Sequence, residues 1–234
     1  GSEMCIRDRT PTSDSWYEGT ADAVRKNLIH ILNNDFEYIL ILSGDQLYRM
    51  DFREIIASHV ERDAELTVAT IPVGREFAPG FGIMHNDEQG RISRFVEKPG
   101  TPELLDSLKL PAEQLAKQEI EPGSDHYLAS MGIYLFNRQT LIELLENEMT
   151  DFGKHIIPRS IETHRVYSFV YQGYWEDIGT IRAFFEANLD MTATMPQFDF
   201  FQMETPVYTR PRFLPASKIN GAAIDQAIIS DGCI

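Results

Sequence analysis

Residues 38–45 read Tyr-Ile-Leu-Ile-Leu-Ser-Gly-Asp, an unbroken apolar run that stops at a polar turn. A short run with no alternation predicts a strand covered on both faces, as in a sheet with helices packed on either side. Upstream, Thr20 is a residue type that caps helices. Val24, Leu28, Ile31 and Leu32 then share one face of a helical repeat, and Asn33-Asn34-Asp35 ends it. Downstream, residues 52–62 have helical spacing and residues 65–73 (ELTVATIPV) read as the next strand. This strand–helix–strand order predicts an α/β fold with a mainly parallel sheet and right-handed crossovers.

The same reading continues along the chain. Two shorter strands are predicted at 82–85 and 92–96, joined by the turn Asp87-Glu88-Gln89-Gly90. Residues 100–125 are polar and read as a rim insertion with a helix near 102–108. A strand is predicted at 127–136 (YLASMGIYLF) with Gly132 inside it, then helices at 139–148 and 152–161, a strand at 166–171 and a helix at 180–191. Composition changes after Met195, and 196–215 read as an extended, packed linker. From 216 onward, Ile219, Ile224, Ile229 and Ile234 recur among small and polar residues, a pattern that suits the first coil of a β-solenoid or an ordinary C-terminal strand. Residues 1–9 show no helical or strand period, and Gly1-Ser2 reads as a tag scar, so a non-native leader is expected there.

Bulk properties narrow the function. The 234 residues carry 21 Lys and Arg against 36 Asp and Glu, a formal charge of −15. Such a surface disfavours nucleic acid and anionic lipid, both polyanions, but leaves room for one small phosphorylated substrate. No apolar run approaches the roughly 20 residues of a membrane span. Cys5 and Cys233 stand at opposite ends, which suggests neither a disulfide framework nor a zinc site, and a reducing cytoplasm is expected.

Chemistry-bearing residues gather where strands end. Asp45 follows the apolar strand, and Asp177, within Trp175-Glu176-Asp177-Ile178-Gly179, follows the strand at 166–171. In an open parallel sheet, ligands bind beyond the carboxyl ends of strands. Two carboxylates there suit Mg²⁺, which prefers hard oxygen ligands. Taken singly, each aspartate also reads as a turn residue or as an acid favouring a helix start. Glu97-Lys98-Pro99 ends another strand, and Lys98 offers a cation to a phosphate or, more ordinarily, to a surface ion pair. Tyr17 and Gly19-Thr20 precede a helix N-terminus, whose free N–H groups can hold an anion or simply be capped. Gly82 ends the Gly80-Phe81-Gly82 run, which is too short to be a phosphate loop alone, and Ser130 sits inside a strand.

Together these segments resemble the glucose-1-phosphate adenylyltransferases, or ADP-glucose pyrophosphorylases. The resemblance rests on residues 16–24 (WYEGTADAV), 42–51 (LSGDQLYRMD), 95–99 (FVEKP), 129–134 (ASMGIY) and 173–180 (GYWEDIGT), which follow one another in the family's order. It covers about residues 15–234, with 10–195 as part of a nucleotidyltransferase catalytic domain and 216–234 as the start of a left-handed β-helix. It implies a Rossmann-like sheet with flanking helices, and synthesis of ADP-glucose and pyrophosphate from ATP and α-glucose 1-phosphate for glycogen or starch. By the same resemblance Asp45 and Asp177 hold Mg²⁺ and, with Lys98, carry the chemistry. Lys98 meets the sugar phosphate, Glu97 the glucose hydroxyls, and Tyr17, Gly82 and Ser130 are further substrate contacts. Family members are typically allosteric tetramers, homo- or hetero-oligomeric, in the cytoplasm or, in plants, the plastid. Gln46 stands where many members carry His. No segment matches the family's N-terminal Gly-rich triphosphate loop, so the chain by itself is expected to be inactive. A non-catalytic regulatory subunit and a pyrophosphorylase for another nucleotide sugar are the alternatives.

Overall fold

The computed structural model describes residues 16–121, 124–203, 206–208 and 213–230. The expected leader at 1–9, both cysteines and Ile234 lie outside them. In chain order the elements are α1 (Thr20–Lys26), α2 (Leu28–Leu32), β1 (Tyr38–Ile41), β2 (Gln46–Tyr48), α3 (Phe52–Glu61), β3 (Leu66–Gly74), β4 (Gly82–Asn86) and β5 (Ile92–Glu97). Then come α4 (Pro102–Asp106), α5 (Ala112–Lys117), β6 (His126–Asn137), α6 (Arg138–Leu145), a π-helical turn (Phe152–Ile156), α7 (Ile157–Thr163), β7 (Val166–Val170), β8 (Trp175–Asp177) and α8 (Ile181–Asp190). The described residues form two compact units. The larger holds those up to Ser43 together with Asp51–Gln172, and the smaller holds Gly44–Met50 together with the chain from Gly173 onward.

The larger unit is a mixed α/β sheet with the order β5-β4-β6-β3-β7, and β1 pairs with β6 off that path. It is mainly parallel in strand direction. β3 and β7 pair parallel, and β1, β3 and β4 are each antiparallel to β6, so β1, β3, β4 and β7 point one way while β5 and β6 point the other. Most hydrogen-bonded neighbours are nevertheless antiparallel, because the long β6 is inserted between β3 on one edge and β1 and β4 on the other. β1 is where the sequence puts it, but each of its residues is only half-buried. Among the described residues β1 pairs with β6 alone, and full cover on both faces does not follow from an apolar run.

A bulge sits midway along β6. Val68 pairs with Tyr134, and Thr70, two residues on, pairs with Ser130. The excess residues on β6 include Gly132 at φ 67°, a conformation open to glycine at little cost. Beneath this kink lies the main core. Tyr134, Phe136 and Phe152 form an aromatic cluster with centroids 5.5–6.4 Å apart, packed with Leu66, Val68, Leu141 and Ile157.

Two departures from the sequence reading concern helices. The helix predicted from Thr20 breaks at Asn27, whose φ of −107° and ψ of 6° separate α1 from α2. The rim insertion carries a second short helix, α5, which the polar composition concealed. In the smaller unit, β2 and β8 form a two-stranded antiparallel ribbon, too short to leave a periodic signal. Among the described residues beyond 203 no helix or strand is present, and Ile219, Ile224 and Ile229 are exposed. No helix among the described residues is long and apolar enough to cross a membrane.

One polar network lies inside the larger unit. His59 is 1% exposed, with Nδ1 2.7 Å from Thr67 Oγ1 and Nε2 3.0 Å from Asn137 Oδ1. Asn137 Nδ2 donates to Ala64 O at 3.2 Å, which turns its side-chain oxygen toward His59. His59 therefore donates through Nε2 and accepts from the Thr67 hydroxyl, a neutral tautomer. Burial holds its pKa below the ordinary 6.5, outweighing its bond to Asn137 and the pull of Asp63. The sign follows directly. Below pH 6.5 the unfolded chain binds this proton before the folded one does, so the stability contributed at neutral pH is lost as pH falls toward the folded pKa. The urea midpoint is expected to drop between pH 7.5 and 5.5, and to drop less in His59→Gln. Equal drops in both proteins would remove His59 as the cause.

Candidate functional site

In the smaller unit, the ribbon brings the two predicted aspartates together. Gln46 pairs with Asp177 and Tyr48 with Trp175. Ile178 N donates to Asp45 O at 3.0 Å, carrying the pairing one residue beyond the strands. Gly179 N then donates to Asp177 Oδ1 at 2.8 Å and fixes that carboxylate. Thr180 caps α8 by accepting from Ala183 N at 3.1 Å, which turns the chain away after Gly179. A carbon added at Gly179 would stand 3.0 Å from Asp177 Oδ1 and 3.1 Å from Asp45 Oδ2. These oxygens border one point, so they lie within about 6 Å of each other, a span two carboxylates bound to one divalent cation can adopt. Glycine leaves that point open. Among the described residues no cluster of three or more His, Cys, Asp or Glu could hold a metal, so this pair would rely on other oxygens to complete a shell.

The segment carrying Asp45 is fastened within the same unit. Arg49 donates to Asp199 O at 2.6 Å and to Gln202 Oε1 at 2.7 Å, and its guanidinium lies 5.2 Å from the Phe198 ring centre. Phe198 packs in turn against Tyr174 and Phe200. Through these contacts Asp199 and Gln202 hold Arg49, one residue beyond β2, and Phe198 packs beneath its guanidinium.

The larger unit gathers a second constellation. Gly82 pairs with Glu97 across β4 and β5. A carbon at Gly82 would come 2.7 Å from Glu97 Oε2, and one at Gly153 would come 2.6 Å from the same atom. The Glu97 carboxylate therefore occupies room that two glycines leave. Burial raises its pKa above the ordinary 4.5, Asp151 adds to the rise, and Lys98 and Lys154 oppose it. Ser130 lies on the kinked part of β6, where its hydroxyl accepts from Gly132 N at 3.2 Å and lies near the Tyr134 phenol. Burial pushes the Tyr134 phenol up to about 12, with Glu97 and Asp151 contributing. Gly82, Glu97 and Ser130 are thus brought into one neighbourhood, joined by Tyr134, Asp151, Gly153 and Lys154. Sequence reasoning missed these four. Asp151, Gly153 and Lys154 sit at the π-helical turn, a rare element found often at functional sites, but that turn leaves no mark in the sequence, and Tyr134 reads as an ordinary strand residue.

Lys98 is exposed and follows Glu97 with φ 48°. A left-handed lysine costs about 1–3 kcal/mol and persists only where surroundings enforce it. Here Lys98 N donates to Phe81 O at 3.0 Å and Pro99 is buried, which fixes the turn. Lys98 borders a cleft of about 400 Å³ with Arg75, Thr101 and Leu105. Another cleft of about 350 Å³, lined by Arg62, Asn86, Gln114 and Phe169, contains none of the predicted site residues.

Tyr17 stands apart from the Glu97 neighbourhood in sequence, and its hydroxyl accepts from Asn27 Nδ2 at 2.9 Å. The free N–H groups expected at the start of α1 are not free. Ala21 N and Asp22 N both donate to Thr150 O, at 2.8 and 3.2 Å, and Ala23 N donates to Gly19 O. A neighbouring carbonyl takes these donors, so the helix start does not offer them to an anion.

The Glu97 arrangement predicts the effect of one substitution. In Gly153→Ala the new methyl meets the mobile end of Glu97, which can swing away at small cost. The folded chain should survive with little loss of stability, while the Glu97 titration, followed by carboxyl ¹³C NMR, falls toward 4.5 as the group enters water. An unchanged titration would show that Gly153 does not set the position of that carboxylate.

Acidic pairs, a strained lysine and a half-buried glutamate at the ends of strands are features that many α/β enzymes share. The comparison with known families is more specific: residues 4–194 match the family described as nucleotidyl transferase. That match spans most of the chain, and the chain belongs to the nucleotidyl transferase family.

Proposed function

We propose that this chain carries catalytic residues of a glucose-1-phosphate adenylyltransferase, which joins ATP and α-glucose 1-phosphate into ADP-glucose and pyrophosphate. The observation that carries the reading is the convergence of Asp45 and Asp177 over the gap at Gly179. Family membership supplies nucleotidyl transfer in general. The wording of residues 16–24, 42–51, 129–134 and 173–180 supports the ADP-glucose branch. Retention of both aspartates and Lys98 favours a catalytic over a regulatory role.

In this reading Asp45 and Asp177 hold Mg²⁺, and the donor set fits. Mg²⁺ commonly takes one or two carboxylates and completes its octahedron with water and phosphate oxygens. When bound it supplies charge neutralisation for the polyphosphate. The sugar phosphate oxygen attacks the α-phosphorus of ATP in line, and pyrophosphate departs. No proton need move at that step if the attacking phosphate is ionised, so the protein acts by positioning and electrostatics. Lys98 meets the sugar phosphate with its exposed ammonium. Glu97 accepts from glucose hydroxyls through a carboxylate that the two glycines admit, and Ser130 and Tyr134 border that carboxylate's surroundings. Tyr17 contacts a phosphorylated substrate.

Two measurements test the reading. Mn²⁺, followed by electron paramagnetic resonance, is expected to bind the chain and to lose that binding in Asp177→Asn. Retained binding would place the cation elsewhere. In calorimetric titrations, Lys98→Ala is expected to weaken glucose 1-phosphate by about 2–4 kcal/mol, with ATP little affected. Equal losses for both ligands would argue against a sugar-phosphate role for Lys98.

A further inference from the structure

We infer that Asn27 is a positioning residue that sets the hydrogen-bond polarity of Tyr17, leaving the tyrosine hydroxyl to donate to an acceptor oxygen on a phosphorylated ligand. This rests on the reading above in one respect only, that Tyr17 contacts a substrate.

The argument begins with a broken helix. Val24, Leu28 and Ile31 keep an apolar stripe across α1 and α2 and pack on the core, yet the backbone interrupts its helical course at Asn27 alone. Asn27 uses that break. Its Nδ2 donates to Ala23 O at 2.8 Å and to Tyr17 Oη at 2.9 Å. A main-chain carbonyl can only accept, so the amide nitrogen must face Ala23. The same nitrogen faces Tyr17, so both of its protons are committed. The Tyr17 oxygen is therefore the acceptor in this bond, and its own proton is not needed there. Among the described residues that proton has no acceptor. Tyr17 is half-buried, so its hydroxyl is partly shielded but not enclosed.

The segment before α1 is held at a second point. Glu18 N donates to Asp22 Oδ2 at 2.9 Å, and Asp22 pairs with Lys26 at 2.8 Å and with Arg25 at 3.7 Å. Asp22 fixes the backbone beside Tyr17, and Asn27 fixes the tip of the ring. Asp22 accepts and Asn27 donates, so only the second determines which way the phenol proton points. An acceptor-rich ligand, such as a phosphate ester, is the partner that a pre-oriented O–H donor suits.

Polarity and mere anchoring can be separated. In Asn27→Asp the side chain keeps its shape but can only accept. The carboxylate gives up the contact with Ala23 O, which also only accepts, while Tyr17 turns its proton inward to it, so the tip of the ring stays held and the donor is lost to the ligand. ATP with Mg²⁺ and glucose 1-phosphate would be titrated separately into the folded chain, with thermal unfolding as a check on the fold. For whichever ligand Tyr17 meets, Tyr17→Phe and Asn27→Asp are each expected to weaken binding about tenfold. The double variant should be no weaker than either single one, because both remove the same donor. Unchanged affinity in Asn27→Asp, or additive losses in the double variant, would overturn the inference. Unchanged affinity of Tyr17→Phe for both ligands would also overturn it, while the outcome for Lys98→Ala would still judge the wider reading. Failure of the unsubstituted chain to bind either ligand would defeat both.

Discussion

A strand that pairs along both edges must satisfy several neighbours at once, and β6 is under that constraint. β3 runs along one edge for nearly its whole length, while β4 and β1 share the other, β4 near residues 128–129 and β1 near 134–137. The bulge around Gly132 lies between those two stretches. It lets β6 change course without leaving its partners, and it breaks the strict in–out alternation of side chains. The kink also draws Ser130 toward Tyr134, residues that would stand about 13 Å apart along a regular strand. The Glu97 neighbourhood follows from that kink, and so does the aromatic core beneath it, since Tyr134 belongs to both.

Much of this was legible in the sequence, and the part that was not has physical causes. Apolar runs marked β1, β3, β6 and β7, and turn residues marked the β4–β5 hairpin, because burial selects composition locally. Strand direction leaves no such trace. Nothing in YLASMGIYLF says that β6 runs against its neighbours. Asp45 and Asp177 read as the ends of two strands of one sheet, but Asp177 lies in β8 of a separate two-stranded ribbon, and that ribbon sets it beside Asp45. β2 and β8 are three residues each, too short for a period, and their pairing is a long-range fact. Tyr134, Asp151 and Gly153 escaped notice for a similar reason. Each is an ordinary residue for its element and acquires chemical interest only through what lies across from it.

Glycine placement tells a related story. Gly82, Gly153 and Gly179 each stand where a side chain would meet a carboxylate, and none of the three needs a left-handed backbone. Their role is spatial. A carboxylate packed against backbone needs room around it, and a missing methyl provides it without a cavity in the core. Lys98 shows the converse, a side chain retained where the backbone would prefer glycine.

The carbonyl of Thr150 has a consequence for the order in which the molecule assembles. It accepts from Ala21 N and Asp22 N in the first turn of α1, and Thr20 Oγ1 accepts from Phe152 N, a contact spanning 132 positions. A seven-residue helix cannot hold itself together in water. α1 must therefore wait until the chain beyond α6 has found its place, although it lies far earlier in the sequence. Its amides should belong to a late-forming cooperative unit and exchange with solvent together with those around residues 150–152. The segment bearing Tyr17, tied to α1 through Asp22 and Asn27, would then be among the last parts to settle.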